Sequence, residues 1–175
     1  MTIRQSRSLT IKDKGTIMKK KTVAPLLGKI LQKIAATEHL LPKYLRGMDG
    51  LTTIVAAVVK NNYAFVQHAG DSRAYLITAK RVKQLTEDHG KGNFLYNSLG
   101  SRTKPPEIAQ HVPIKLEKGN SLVLCTDGVH RLLTEKEIAE IVQKSGNADE
   151  AAKNIIRRVE SKGEHENATA VVYFH

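Results

Sequence analysis

A predicted β-hairpin near the middle of the chain is the feature that most constrains the fold. The run Leu51–Val59 is rich in β-branched and small apolar residues, and Asn61-Asn62 separates it from a second such run, Tyr63–Ala69. Runs of this kind favour strands, and paired asparagines favour a tight hairpin turn. Gly70-Asp71 then reverses the chain into Arg73–Ile77, so the pattern predicts a meander of three strands with an aspartate at one corner.

Acidic residues stand at the ends of predicted strands in three places. Asp71 lies at the corner of the meander, Asp127 follows a buried apolar run and precedes Gly128, and Glu166 precedes Asn167 and the last predicted strand. Carboxylates gathered at one rim of a sheet would bind a hard cation such as Mg²⁺ or Mn²⁺. For Asp71 taken alone, the commoner role is that of a turn residue that bonds its own backbone.

In their order along the chain, these segments resemble the protein phosphatase 2C (PPM) family of metal-dependent serine/threonine phosphatases. The resemblance runs from about Gly50 to the C-terminus. Six motifs carry it: Thr52-Thr53, Gly70-Asp71-Ser72-Arg73, Leu85-Thr86-Glu87-Asp88-His89, Ser98-Leu99-Gly100, Thr126-Asp127-Gly128 and Glu166-Asn167-Ala168-Thr169. None of these short motifs is specific by itself, and it is their order and spacing that identify the family.

The resemblance implies an α+β fold of two stacked antiparallel β-sheets flanked by helices, here N-terminally truncated. It also implies hydrolysis of phosphoserine and phosphothreonine by a water held between two Mn²⁺ or Mg²⁺ ions. Carried over by motif, Asp127 would bind the first metal and Asp71 a more loosely held extra metal. Glu166 stands where the family usually has aspartate, and it would keep the charge. Four neighbouring positions would adjoin the site: Gly128, Asn167, Thr53 and Ser72.

The N-terminal motifs of the family have no recognisable counterpart in residues 1–46. Family members begin with two strands that supply a phosphate-binding arginine, an acidic pair and an Asp-Gly motif whose aspartate bridges both metals. Asp13-Lys14-Gly15 has no glycine cluster after it, and Asp49-Gly50 lies too close to the strand at Thr52-Thr53. Loss of the bridging aspartate would remove the second metal and the activated water. We therefore expect no certain catalytic residue, one weak Mn²⁺ or Mg²⁺ site, and reduced or absent activity.

Two functions from different classes stay open at this point. The chain is either a phosphatase domain acting on a phosphoprotein, or a pseudophosphatase that keeps the fold and binds a phosphorylated or acidic partner. The net charge of +11 favours acidic partners. Nucleic acid is not expected as a partner, because basic charge alone is nonspecific. Missing strands would leave sheet edges unpaired, which would favour a dimer.

The basic residues are concentrated at the N-terminus. Residues 1–22 carry seven Lys or Arg and one Asp, which predicts a flexible basic arm ahead of an incomplete phosphatase 2C-like domain over residues 23–175. Residues 25–35 have helical apolar spacing and predict an amphipathic helix.

No apolar run is long enough for a transmembrane helix. The lone Cys125 lies in an apolar run, which indicates a buried side chain and a reducing, cytoplasmic compartment.

Helix signals dominate the last third of the chain. Thr134 and Glu137 form a capping box that opens one helix, and a second helix is predicted from about Ala148 to Ser161. Upstream, Glu107–Ile114 predicts an edge strand because it contains a proline. His89 is interpreted as a residue that bonds a loop backbone rather than as an acid or base, since no catalytic partner lies near it in sequence. In the family the connection after it includes a mobile flap over the metal site; residues 90–102 form a short connection here, so control of the substrate by a flap is not expected.

Overall fold

The computed structural model describes residues 51–92, 94–100, 106–163 and 167–175. The described chain divides into two compact units, one formed by Arg73–Gln84 and Glu117–His175, the other by residues 51–72 and Leu85–Leu116. Each unit contains one four-stranded antiparallel sheet. The predicted basic arm and the predicted amphipathic helix lie outside the described residues.

The strands are β1 Ile54–Lys60, β2 Tyr63–Ala69, β3 Arg73–Ile77, β4 Val82–Gln84, β5 Gly90–Lys91, β6 Phe94–Leu95, β7 Ala109–Gln110, β8 Ile114–Lys115, β9 Ser121–Cys125 and β10 Ala170–Phe174. The helices are α1 Asp127–His130, α2 Glu135–Lys144 and α3 Ala148–Glu160. No helix among the described residues is both long and apolar enough to cross a membrane.

The predicted hairpin is confirmed. β1 and β2 pair along their whole lengths, from Ile54 opposite Ala69 to Lys60 opposite Tyr63. The turn residues Asn61 and Asn62 have φ of 50° and 60°, a left-handed conformation that asparagine tolerates better than most residues.

The other edge of β2 pairs with β7 and β8, so the predicted edge strand exists in two short pieces. Pro113 lies directly before β8 and has no amide hydrogen to donate, and residues 111–113 are not part of either strand. Among the described residues β7 and β8 lie at the edge of their sheet, in agreement with the position predicted from the proline, but the strand is not continuous over Glu107–Ile114.

The predicted three-stranded meander is wrong, because β3 does not pair with β2. One edge of β3 pairs with β9 and the other with β4, in the sheet of order β10-β9-β3-β4. The chain leaves the first sheet at Gly70 and enters the second at Arg73. Apolar runs that are adjacent in sequence predict strands, but the partner of each strand is chosen by long-range packing that the runs do not encode.

The core of the unit that contains β3 is almost wholly aliphatic. Its buried members include Ile77, Val123, Leu133, Ile138 and Ile155, and Cys125 is buried among them. The exception is Tyr75, which is fully buried at the centre of the sheet. Arg73 Nη1 donates to the Tyr75 hydroxyl at 3.3 Å. Burial raises the pKa of Tyr75 to about 12, because the phenolate would be formed away from water.

Helix α2 begins with the predicted capping box. The Glu137 amide donates to Thr134 Oγ1 at 3.2 Å, and the Thr134 amide donates to Glu137 Oε2 at 2.9 Å. The second carboxylate oxygen, Oε1, receives Lys162 Nζ at 3.0 Å and Arg158 Nη2 at 3.3 Å. The Thr134 amide and the Lys162 ammonium together lower the pKa of Glu137 from 4.5 to about 2. One carboxylate thus caps α2 and ties it to α3 and to the turn that follows α3.

We expect Glu137→Gln to lower the stability of the fold at neutral pH and to cost less in acid. Because the folded pKa lies below the unfolded value, the stabilisation by the carboxylate is complete above about pH 4.5 and is lost as the pH falls toward 2. Urea unfolding midpoints at pH 7 and at about pH 3 measure this. The control is Glu140→Gln, since Glu140 makes only an exposed pair with Lys144 at 3.7 Å. An equal deficit of Glu137→Gln at both pH values would contradict the expectation.

Candidate functional site

Asp127 is the first residue of α1 and follows the buried strand β9 after the single residue Thr126. Its Oδ1 accepts the amide hydrogen of Gly128 at 3.0 Å. Its Oδ2 lies 3.1 Å from Arg131 Nη2, one helical turn further on, and both side chains are about one third exposed. Pairs of this exposure are weak, so a divalent cation can compete with Arg131 for the carboxylate.

The chain on both sides of Asp127 contacts residues 167–169, which lead into β10. The Thr126 amide donates to the Thr169 carbonyl oxygen at 3.1 Å, and the Thr169 amide donates to Thr126 Oγ1 at 3.0 Å. A Cβ on Gly128 would lie 2.6 Å from the Asn167 carbonyl oxygen. Only glycine fits this contact, and Asn167 lies directly beside Gly128.

Asp71 belongs to a second local arrangement, in the other unit. It is held by Thr53 and by the two residues next to Asp71, Gly70 and Ser72. Gly70 has φ of 106°, and a Cβ on it would collide with the side chain of Thr53. Thr53 Oγ1 and Ser72 Oγ are 2.6 Å apart, with one hydroxyl donating to the other. Ser72 is buried. Thr53, Gly70 and Ser72 together fix the turn that carries Asp71.

His89 contacts the same turn, and its interpretation as a residue that bonds a loop backbone is confirmed. Its Nδ1 accepts the amide hydrogen of Gly70 at 3.2 Å and the side-chain amide of Asn97 at 2.8 Å. Since both partners are donors, Nδ1 carries no proton and the neutral ring is protonated at Nε2. Burial lowers the pKa of His89, and the adjacent His68 lowers it further.

The structure thus collects the predicted site residues in two local groups. Asp127, Gly128 and Asn167 form one, and Thr53, Asp71 and Ser72 form the other. Glu166 lies outside the described residues. Across residues 51–92, 94–100, 106–163 and 167–175, no three His, Cys, Asp or Glu side chains are grouped so as to hold a metal ion. A common metal site of Asp71, Asp127 and Glu166 stays a prediction.

Two residues that matter locally were not singled out from the sequence. Arg131 pairs with Asp127 because α1 is helical, and the i,i+4 spacing of the two charges is the signal that would have found it. Asn97 bonds both His89 and the backbone of Glu107. It lies in a polar connection whose sequence gives no indication of these partners.

Solved bacterial phosphatases share this α+β arrangement of antiparallel sheets and helices. Serine/threonine phosphatase Stp1 from Staphylococcus aureus superposes with a TM-score of 0.80 at 18% identity, covering 93% of this chain and 71% of that one. The serine/threonine phosphatase of S. agalactiae superposes with a TM-score of 0.76 at 23% identity, covering 87% and 72%. The predicted fold class is confirmed by these likenesses.

The chain belongs to the protein phosphatase 2C family, which it matches over residues 6–169. The serine/threonine phosphatase stp of Listeria monocytogenes is 25% identical over 182 residues, which are 92% of this chain and 71% of that protein. Protein phosphatase PhpP of Streptococcus pneumoniae is 30% identical over 148 residues, or 73% and 58%. The family match begins well before Gly50, so the resemblance extends further toward the N-terminus than the motifs indicate. The lack of the bridging Asp-Gly motif stays a prediction.

We expect Gly128→Ala to destabilise the fold by about 1–3 kcal/mol, because the added methyl group would overlap the backbone of Asn167. Urea denaturation of the two variants gives the difference. Gly146→Ala is the matched control: its Cβ would meet only the far end of the Glu150 side chain, at 3.3 Å, and that side chain can move aside. Equal effects of the two substitutions would show that the close approach at Gly128 does not constrain the fold.

Proposed function

We propose that this chain is a metal-dependent protein phosphatase domain of the type that acts on phosphoserine and phosphothreonine, with reduced or no activity because the N-terminal bridging-aspartate motif is missing. The observation that carries the proposal is the family match over residues 6–169, which includes nearly the whole chain. The likeness to bacterial serine/threonine phosphatases, at 25–30% identity, supports the same substrate class. The strand end that carries Asp127 adds a structural reason, since the contact of Gly128 with Asn167 joins two of the motifs.

The residues proposed to hold the metal are Asp127, Asp71 and Glu166, with Mn²⁺ or Mg²⁺ as the ion. Carboxylate oxygens are the ligands that these hard cations prefer, so the donor chemistry fits. When bound, such ions would lower the pKa of a water and neutralise phosphoryl charge. Within the protein, the Gly128 amide holds Asp127 Oδ1, and the pair of hydroxyls of Thr53 and Ser72 holds the turn of Asp71.

The second candidate function is a pseudophosphatase that binds a phosphorylated or acidic partner. One contact favours it: the carboxylate of Asp127 already has a counter-charge in Arg131 at 3.1 Å, which balances its charge without a metal. The net charge of +11 would attract an acidic partner in either case. Affinity for Mn²⁺ and turnover of a phosphate ester separate the two functions.

We expect millimolar Mn²⁺ to raise the melting temperature, since an ion that binds only the folded state stabilises it. Arg131→Gln should enlarge the shift by removing the cation that competes for Asp127, and Asp127→Asn should abolish it. Arg158→Gln is the matched control, because it removes the same charge from an exposed pair with Glu137. Thermal melts across a Mn²⁺ series measure all four proteins. If Arg131→Gln and Arg158→Gln shift alike, Arg131 is not a competitor of the metal.

We expect the chain to hydrolyse p-nitrophenyl phosphate with Mn²⁺ slowly or not at all, because the bridging aspartate is not recognisable in residues 1–46 and the second metal would be lost with it. The assay compares the parent with Asp127→Asn at equal protein concentration. Fast turnover that Asp127→Asn abolishes would show that the chain has a complete two-metal site and would overturn the expectation of weak activity.

The dimer predicted from unpaired edges stays a proposal. Within the described residues, β10 is the outermost strand of its sheet. Its alternate side chains Val171 and Tyr173 are 43% and 37% exposed. An edge strand with exposed apolar side chains favours pairing with a second copy, and light scattering coupled to size-exclusion chromatography measures the mass in solution.

A further inference from the structure

We propose that His89 is a positioning residue for the turn Gly70–Ser72: its Nδ1 holds the Gly70 amide and the Asn97 side chain together, and so sets the place of Asp71. The inference rests on the proposed function only in taking Asp71 as a metal ligand. The hydrogen-bonding role of His89 stands on its own geometry.

The backbone of Gly70 is the part of this turn that another segment can hold. Gly70 has no side chain, and none could be added, because a Cβ would collide with Thr53. Its amide and carbonyl groups therefore supply its hydrogen bonds. His89 engages both: its Nδ1 accepts from the Gly70 amide at 3.2 Å, and its own amide donates to the Gly70 carbonyl oxygen at 3.1 Å. The residue just before Asp71 is thus bonded to His89 in both directions.

Asn97 ties the same imidazole to a more distant part of the loop. Its Nδ2 donates to His89 Nδ1 at 2.8 Å and to the Glu107 carbonyl oxygen at 2.7 Å, while its Oδ1 accepts the Glu107 amide hydrogen at 2.9 Å. These three bonds fix the orientation of the Asn97 amide, so its NH₂ group faces the ring nitrogen. His89 Nδ1 then joins the Gly70 turn to the chain at Asn97 and Glu107.

The ring of His68 stacks on the ring of His89, with centroids 4.5 Å apart and an interplanar angle of 19°. His68 itself is 5% exposed, and its Nε2 donates to the Glu87 carbonyl oxygen at 2.7 Å. Tyr96 lies near the same ring: its hydroxyl donates to the Asp88 carbonyl oxygen at 3.0 Å and its ring centroid lies 5.9 Å from that of His89. Turning Nδ1 away from Gly70 would break both hydrogen bonds to this atom, from the Gly70 amide and from Asn97 Nδ2.

The arrangement requires a neutral imidazole. A proton on Nδ1 would face the N–H groups of both Gly70 and Asn97, and the positive charge would lie against the His68 ring. Three acidic side chains act in the other direction: Glu87, Asp88 and Glu107 favour the charged imidazolium and so raise the pKa of His89. The pKa of His89 is nonetheless lowered, because burial and His68 outweigh them. At neutral pH the acceptor that the turn needs is therefore present.

Two substitutions test the hydrogen-bond acceptor of His89 and its aromatic ring separately. His89→Phe keeps a flat ring over His68 and removes the acceptor, whereas His89→Asn loses the ring and keeps an acceptor oxygen near the position of Nδ1. In the ¹⁵N-labelled full chain, NMR measures exchange of the Gly70 amide hydrogen. We expect about tenfold faster exchange in His89→Phe, the factor that corresponds to one lost hydrogen bond, and near-parental exchange in His89→Asn. The Gly119 amide, bonded to the His175 carbonyl oxygen at 3.2 Å, is the internal reference.

Metal affinity tests the consequence for Asp71. We expect Mn²⁺ to bind His89→Phe about tenfold more weakly than the parent, and His89→Asn to recover the parental affinity. Parental exchange in His89→Phe, or equally fast exchange in both variants, would overturn the positioning role. A parent that binds no Mn²⁺ would contradict the proposed function, and the exchange rates would still decide the role of His89.

Asn97→Ala provides a variant that leaves His89 in place should His89→Phe not fold. It removes one of the two donors to Nδ1, so protonation of the ring becomes easier, and the pKa of His89 should rise. The ring resonances followed by NMR against pH give this value. An unchanged pKa would show that Asn97 does not act on the imidazole and would overturn the inference.

Discussion

The left-handed backbone at Gly70 is the constraint on which the turn between β2 and β3 depends. A φ of 106° is open only to glycine at low cost, and here the neighbouring side chain of Thr53 excludes any Cβ as well. The chain changes direction at this point, so β2 ends in one sheet and β3 begins at the centre of the other. Asp71 lies in the three-residue connection between the two strands. The position of Asp71 is therefore set by the backbone conformation of Gly70, which also separates β2 from β3.

Hydrogen bonds from several directions then fix this connection. Ser72 bonds Thr53, and His89 bonds Gly70 through both its side chain and its backbone. The stacked rings of His68 and His89 form part of the support, and neutral histidine is the form that fits. Such support would favour the proposed role of Asp71 as a metal ligand, because a ligand held in place loses less conformational freedom when the ion binds.

Charge governs the other strand end in a different way. Asp127 is held by the Gly128 amide on one oxygen and by Arg131 on the other, so the carboxylate is oriented without a metal. Glu137 shows what a fully engaged carboxylate looks like in the same unit, with a backbone amide, a lysine and an arginine as partners. Among the described residues, the charged partner of Asp127 is Arg131, in a pair about one third exposed, and the proposed role of Asp127 as a metal ligand rests on displacement of that cation by a divalent ion.

The sequence by itself determined the features that local chemistry controls. Asn61-Asn62 predicts a hairpin turn, Thr134 and Glu137 a capped helix, and the order of the Asp-containing motifs the family. Only the tertiary structure decided which strands pair, which is why the predicted meander failed: β3 pairs with β9, which lies more than forty residues further along the chain. It also decided that His89 reaches Gly70 and that Asn167 lies against Gly128. These contacts depend on how segments that are distant in sequence pack together. A local residue pattern does not specify which distant segment a residue will contact.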